Sequence, residues 1–436
     1  MDLKNYNGIL NNLLSGNYKS QYSKKKILIP INEILIVKNI LEHKISILDQ
    51  LNKNDSVCII SSKNSFKALG DKVSQLLNNY KLQYKKIILD KYKSDITFGD
   101  EIYEKTKDYN LIICIGSGSL IDICKYASNK ANNKLIIFCS SLTAAATTNS
   151  VSLTNNGIKT SIKSKISETI VIDLDNLKKT PMKLIRSSLG DVLCRTTCQV
   201  DWLMSNLLIN TTYDETPFEL QYNDEKELLK NSKLLETGDI NLLASLSRMT
   251  LLNGIAAIII GSTHAGSMGE HMISHYIDMF IQNKNVKTLH GEQVGVTTIK
   301  MSEIQNYFIK NDTPFQLKKL NIDKDLFIKK FSDKYADSFY DSYNKKKLND
   351  EKIEHINKIL FNEWDEIKFK LRKYSVHTNQ IKNSLLNIRG NISNTDLNIP
   401  DSFYNRALKD SFLIRDRFSF LDIMNHTNTF ENFKVN

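Results

Sequence analysis

Between about residues 55 and 175, short, continuously apolar runs alternate with amphipathic stretches. Val57-Cys58-Ile59-Ile60 reads as a strand. Residues 66–77 follow as a helix, with Phe66, Leu69, Val73, Leu76 and Leu77 on one stripe. Ile87-Ile88-Leu89 is a second strand, and residues 102–109 are weakly helical. Leu111-Ile112-Ile113-Cys114-Ile115 is a third strand, leading into a helix over 119–130. Leu135-Ile136-Ile137-Phe138 is a fourth and Ile170-Val171-Ile172 a fifth. Strands that are apolar throughout, with helices between them, predict a parallel sheet covered on both faces. The polar segment 150–164 reads as a hairpin or an excursion.

Beyond Lys179 the period changes. Pro181 opens a region of helical spacing over 187–208, 225–235, 241–260, 269–280 and 291–308, with more polar helices from 311 to 436. The expected architecture is an α/β nucleotide-binding domain over 1–180 and an all-α domain over 181–436. A helical extension begins at about 311.

The chain has 436 residues, too many for one ordinary core, and its 41% hydrophobic content excludes wholesale disorder. A net charge of +11 is spread along it, mostly on lysines. With no basic stripe interleaved with aromatics, nucleic acid is not an expected partner. Six cysteines lie in apolar or helical patterns and form no Cys-x-x-Cys pair, so no disulfide framework is expected. Met1-Asp2-Leu3-Lys4-Asn5 lacks the apolar core of a signal peptide. The apolar run 254–260 falls short of the roughly 18 residues of a membrane span. A reduced, cytoplasmic protein is expected, with a homo-oligomer left open.

Two features carry chemistry. The first is Gly116-Ser117-Gly118-Ser119, directly after the third strand and opening a helix. Glycines there let a ligand approach the backbone, and free N–H groups at a helix start favour a diphosphate. The second is a set of metal-ligand types: Asp191, His271 and His275 four residues apart on one helix face, and His290. Three of the eight histidines fall within 20 residues. One carboxylate and two imidazoles suit a divalent ion with open positions for substrate oxygens.

With Asp122 and Lys125, the glycine turn resembles the Gly-Gly-Gly-Ser-x-x-Asp-x-x-Lys turn of the dehydroquinate synthase-like superfamily, which includes the iron-containing alcohol dehydrogenases. Gly190-Asp191, Asp201-Trp202, Glu270-His271-x-x-Ser274-His275 and Leu289-His290-Gly291-Glu292-Gln293-Val294-Gly295 are most similar to sn-glycerol-1-phosphate dehydrogenases. The resemblance runs over about residues 50–310. It implies a nucleotide-binding domain and a helical domain with the active site in the cleft between them. It also implies Zn2+ on Asp191, His271 and His290, with His275 lining the pocket; Asp/His/His ligation also takes Ni2+ or Fe2+, and the proton would come through metal-bound hydroxyls or water, with His275 the one side chain to test for that role. The implied reaction is reduction of dihydroxyacetone phosphate to sn-glycerol-1-phosphate by NADH or NADPH. Gly116, Ser117, Gly118, Ser119, Asp122 and Thr143 would serve the cofactor.

Two departures stand out. Ile115 replaces the first glycine of the turn. A family segment Pro-Thr-x-x-Ser-x-Asp reads Leu142-Thr143-Ala144-Ala145-Ala146-Thr147-Thr148, so that Thr148 stands where the family has a substrate-side carboxylate. Thr148 is therefore a substrate-side candidate. Arg195, Lys159 and Lys163 are candidates for a substrate phosphate, and Ser62-Lys63-Asn64 for a 2′-phosphate. The alternatives are a dehydroquinate synthase-like cyclase or lyase, against which Asp191 in place of Glu argues, and a catalytically degenerate nucleotide-binding scaffold.

Overall fold

The computed structural model describes residues 5–52, 54–155, 158–281 and 286–435. It divides into two compact units, one of residues 1–188 with 219–262, the other of 189–218 with 263–436.

The first unit is built on a six-stranded sheet. Its strands are β1 (Glu33–Val37), β2 (Val57–Ser62), β3 (Tyr84–Leu89), β4 (Leu111–Gly116), β5 (Lys134–Cys139) and β8 (Thr169–Asp173). All pair in parallel, in the order β1-β8-β5-β4-β2-β3. β2, β4 and β5 are buried nearly end to end, as their unbroken apolar runs require. The helices α1 (Asp71–Asn79), α2 (Ile96–Thr106) and α3 (Gly118–Ala131) lie between strands. In the segment expected as a hairpin or an excursion, β6 (Ser150–Asn155) pairs antiparallel with β7 (Ile158–Lys163). β1 was not anticipated from the sequence. Four of its five residues are apolar, yet it lies before the strand–helix alternation begins and finds its partner β8 more than 130 residues later.

Long helices follow: α4 (Met182–Val192), α5 (Arg195–Ile209), α6 (Thr216–Asn231), α7 (Ile240–Ile260), α8 (Gly269–Phe280) and α9 (His290–Lys310). The stretch expected as one helix over 187–208 is two, α4 and α5. A turn at Leu193 and Cys194 is tightened by bonds from Cys194 N–H to the Asp191 carbonyl and from Thr196 N–H to the Leu193 carbonyl. Leu193 and Cys194 are buried, so the hydrophobic period runs through the break unmarked. The run 254–260 is the end of the 21-residue α7, which by length and composition alone could cross a membrane. However, 72% of its most apolar stretch is buried in the protein, as in a core helix. The tail adds α10 (Lys324–Asn344), α11 (Asp350–Tyr374), α12 (Thr378–Leu386), α13 (Asp401–Asp410) and α14 (Phe420–His426). The apolar faces of α10, α11, α13 and α14 join α5, α8 and α9 in one core, with Phe327, Leu371, Tyr404 and Phe420 fully enclosed. All six cysteines are free and buried.

One carboxylate ties the sheet to its neighbours. Asp173, completely buried at the end of β8, accepts from Ile40 N–H at 3.0 Å, Asn176 N–H at 2.7 Å and Lys72 Nζ at 2.8 Å. Asp173→Ala strands three donors at once, and should lower the unfolding free energy by about 2–4 kcal/mol in urea titration.

Candidate functional site

Asp191 ends α4, His271 lies in the first turn of α8, and His290 opens α9. All three belong to the second unit. They meet because α4 and α9 touch backbone to backbone. A Cβ on Gly190 would collide with the carbonyl oxygen of Gly291 and come within 3.3 Å of the Gly295 Cα. Only glycine permits that approach, and it brings the next residue, Asp191, to the start of α9. One ligand atom from each of the three side chains then lies within 4.8 Å of the other two. His271 Nε2 is 3.5 Å from Asp191 Oδ1 and His290 Nε2 is 3.9 Å from the same oxygen.

The opposite ring nitrogens are held from behind. His271 Nδ1 meets Glu270 Oε1 at 2.8 Å. Glu270 is completely buried and also accepts from Met268 N–H at 2.8 Å, Cys198 Sγ at 3.1 Å and Thr197 Oγ1 at 3.2 Å. His290 Nδ1 lies 3.4 Å from Ser274 Oγ and 3.7 Å from Asp278 Oδ2. Gln293 links those two, accepting from Ser274 at 3.0 Å and donating to Asp278 at 2.9 Å. Carboxylates behind imidazoles fix the tautomer and ring orientation that a metal-binding histidine needs. The start of α8 is itself pinned by Asp201, which accepts from Gly269 N–H, Gln305 Nε2 and Phe420 N–H at 3.0–3.1 Å. Burial and the Glu270 charge raise the Asp201 carboxyl to about 7.

Burial alone would raise the carboxyls of Asp191 and Glu270, but their contacts with His271 outweigh it and hold both below the usual range. His271 is opposed by its own burial, yet bonds to Asp191 and Glu270 drive it up to about 10. The converging donor set of one carboxylate and two Nε2 atoms, with both Nδ1 atoms occupied, suits a divalent ion.

The other expected residues are dispersed. His275 lies beside the triad, half-buried, its ring 5.9 Å from that of His271 and 5.6 Å from that of His290. Arg195 is buried; its guanidinium donates to the Phe218 carbonyl at 3.4 Å and lies over the Phe218 ring. In the first unit, Gly116 ends β4 and Ser117 precedes α3 without capping it through its side chain. Gly118 has φ +30°, and a Cβ there would meet nothing within 4 Å. Asp122 is buried in α3. Thr143 caps a short turn, Ala144–Ala146, by accepting from Ala145 N–H at 3.3 Å. The Thr148 hydroxyl is engaged with Lys125 Nζ at 2.9 Å and the Ser150 carbonyl at 2.7 Å. Lys125 is itself buried and also donates to the carbonyls of Ala145 and Thr148, and burial lowers it to about 8. Lys63 pairs with Asp90 at 2.8 Å on the surface. The Lys159 side chain lies outside the described residues, and Lys163 ends β7.

The sequence reading gave no role to Glu270, Ser274, Asp278 or Gln293. Glu270 carried one signal, a carboxylate directly before a candidate ligand histidine. The other three are ordinary polar helix residues until α8 and α9 are packed together.

The model of the iron-containing alcohol dehydrogenase family matches residues 35–181. Over about two thirds of its length the chain is similar in sequence to glycerol-1-phosphate dehydrogenases. It is 24% identical to the glycerol-1-phosphate dehydrogenase [NAD(P)+] of Pyrococcus horikoshii, covering 62% of this chain and 77% of that one. It is 27% identical to that of Metallosphaera sedula, covering 68% and 86%. In fold it is similar to a sulfoacetaldehyde reductase of Bifidobacterium kashiwanohense solved with NAD+, with a TM-score of 0.59 at 15% identity over 91% of this chain and 96% of that one. An NADH-dependent butanol dehydrogenase of Thermotoga maritima gives 0.58 at 13% identity, covering 94% and 98%.

Two outcomes follow from the geometry. Gly190→Ala should drive α4 and α9 apart and cost about 1–3 kcal/mol in urea unfolding. In chelator-treated protein the raised pKa of His271 stabilises the fold fully below its unfolded value near 6.5, and that contribution is lost as pH rises through about 10. Relative to His271→Gln, wild-type stability should therefore fall between pH 7 and 10, measured by urea unfolding at stepped pH.

Proposed function

We propose that this protein is a metal-dependent oxidoreductase that transfers hydride between NAD(P)H and a small phosphorylated ketone, interconverting dihydroxyacetone phosphate and sn-glycerol-1-phosphate. The observation that carries the reading is the convergence of Asp191, His271 and His290 within 4.8 Å, with Glu270 behind His271, in a chain similar to enzymes named for that reaction.

Asp191 Oδ1 and the Nε2 atoms of His271 and His290 would hold a divalent ion; Zn2+, Fe2+ and Ni2+ all suit this donor set. When bound, such an ion polarises a carbonyl and stabilises the oxygen charge that develops as hydride arrives. Glu270 keeps His271 in the tautomer that presents Nε2, and Ser274 and Asp278 do the same for His290. The uncapped amides at the start of α3 receive the cofactor diphosphate, where the helix dipole favours negative charge. Asp122 and Thr143 shape that turn and the segment that follows. His275 is the side chain assigned to hand a proton to the reduced oxygen. Thr148 offers a hydroxyl already bonded to Lys125, so it contributes shape to the substrate side rather than charge.

The test is NADH and NADPH oxidation at about 340 nm, the nicotinamide absorbance, with dihydroxyacetone phosphate on metal-analysed protein. Chelator-sensitive oxidation is expected, with net consumption of reduced cofactor. A cyclase that recycles its NAD+ would give none. Glu270→Gln should weaken metal binding about 10–100-fold while the three ligands remain. Full turnover by protein stripped of metal would sink the metal assignment, and silence from metal-loaded protein would sink the substrate assignment.

A further inference from the structure

The outer side of α11 carries a pattern that none of the roles above uses. Its inner side buries Ile353, Ile356, Leu360, Trp364, Ile367 and Leu371 in the tail core. Away from them stand Phe361 and Phe369, 80% and 76% exposed, the two most exposed large apolar side chains among the described residues. At about 100° per residue the two rings share one arc of about 80° with Glu354, Lys358, Asp365 and Arg372. All six are exposed. The outer side of a helix lying on a globular core is ordinarily polar. Single exposed apolar residues need no explanation, but two phenylalanines set among ordered charges on one face mark a contact surface.

The order of the charges says what covers it. Glu351 and Glu354 stand at the start of the helix and Arg372 and Lys373 at its end, while Lys358 precedes Phe361 and Asp365 follows it. Glu354 and Lys358 form no ion pair among the described residues. Asp365 makes one contact along its own helix, to Lys368 at 3.2 Å, and Arg372 spends one nitrogen on the Ile309 carbonyl at 3.1 Å. Laid antiparallel on a copy of itself about a two-fold axis near Asn362 and Glu363, the helix brings Glu354 opposite Arg372, Lys358 opposite Asp365 and Phe361 opposite Phe361. Phe369 then lies over the methylene stems of Glu354 and Lys358 of the other copy. An anionic membrane surface would attract the end bearing Arg372 and Lys373 but repel the end bearing Glu351 and Glu354. A second copy matches both ends at once.

We propose that the outer face of α11 is a self-association surface, occupied by α11 of a second copy of this chain packed antiparallel to the first. The four rings offer roughly 500–700 Å2 of apolar surface to burial. With the flanking ion pairs, that makes a small interface, suited to reversible association at micromolar concentration and not to permanent assembly.

Sedimentation velocity on the full chain, over about 1–100 μM, should show a mass that doubles as concentration rises. Phe361→Ser and Phe369→Ser each remove an apolar anchor from both copies and should weaken association about 100-fold. Their urea-unfolding midpoints should match wild type, because both rings are exposed. Lys358→Glu sets like charges opposite each other and should weaken association about tenfold. Adding Asp365→Lys to it should bring the dissociation constant back to within about threefold of wild type. A wild-type mass that stays constant over the range overturns the surface, as does self-association indifferent to both phenylalanine variants. No recovery in the Lys358→Glu, Asp365→Lys chain overturns the antiparallel pairing. Cosedimentation with phosphatidylserine vesicles that is lost in Phe361→Ser, from a chain that does not self-associate, gives the face to a membrane and overturns the proposal as well.

Discussion

The candidate site depends on one steric fact: α4 and α9 cross with no side chain between them. Gly190 and Gly295 meet backbone to backbone, and the carbonyl of Gly291 occupies the place where a Cβ on Gly190 would lie. Close packing does not yield gradually, because interiors have crystal-like density and a single methyl must be accommodated by moving whole helices. The crossing sets where the end of α4 stands relative to the start of α9, and so sets the 3.9 Å between Asp191 Oδ1 and His290 Nε2. The third ligand arrives by a separate route. Asp201 and Glu270 gather the amides of Gly269 and Met268, holding the first turn of α8 at the depth where His271 faces Asp191. Geometry of this kind is imposed before any ion binds, which is why burial is overruled at His271 and a proton is held there in the metal-free protein.

The first unit uses a different device. Its central strand β4 ends in Gly116, and the turn that follows leaves the start of α3 without a side-chain cap and with open space around Gly118. In the order β1-β8-β5-β4-β2-β3, the connection from β2 runs to one edge and that from β4 toward the other. Reversals of this kind open a crevice at the carboxyl ends of parallel strands, where nucleotides bind. Beyond it, the Ala144–Ala146 turn rests on α7 through the bond from Thr147 Oγ1 to the Leu251 carbonyl. The buried ammonium of Lys125 gathers the oxygens of Ala145, Thr148 and Ser150. The carboxylate missing at Thr148 therefore leaves a filled and hydrogen-bonded corner rather than a hole.

The tail is more than an appendage to the motif-bearing part. Its helices supply much of the core around α5, α8 and α9, and its link at Arg415 and Arg417 reaches the loop that leads into α8.

Much of this was legible without coordinates. Short apolar runs alternating with amphipathic stretches announce buried parallel strands, and four of the anticipated strands extend by only one or two residues at either end. The ligand histidines and the glycine turn were visible because their chemistry resides in residue type and local spacing. What the sequence could not carry was anything depending on contacts between distant segments. Periodicity announces α7 as an apolar helix but not that it packs in the same unit as the sheet. It runs straight through the break at Leu193 and Cys194, because both sides of the break are buried. It cannot show that Arg195 turns onto Phe218 while Arg417 donates to Thr263 and the Ser267 carbonyl. Side-chain identity and short-range period are properties of the chain alone. Which buried group finds a partner is decided only when segments hundreds of residues apart are packed together, because electrostatic satisfaction is a property of the space a side chain enters.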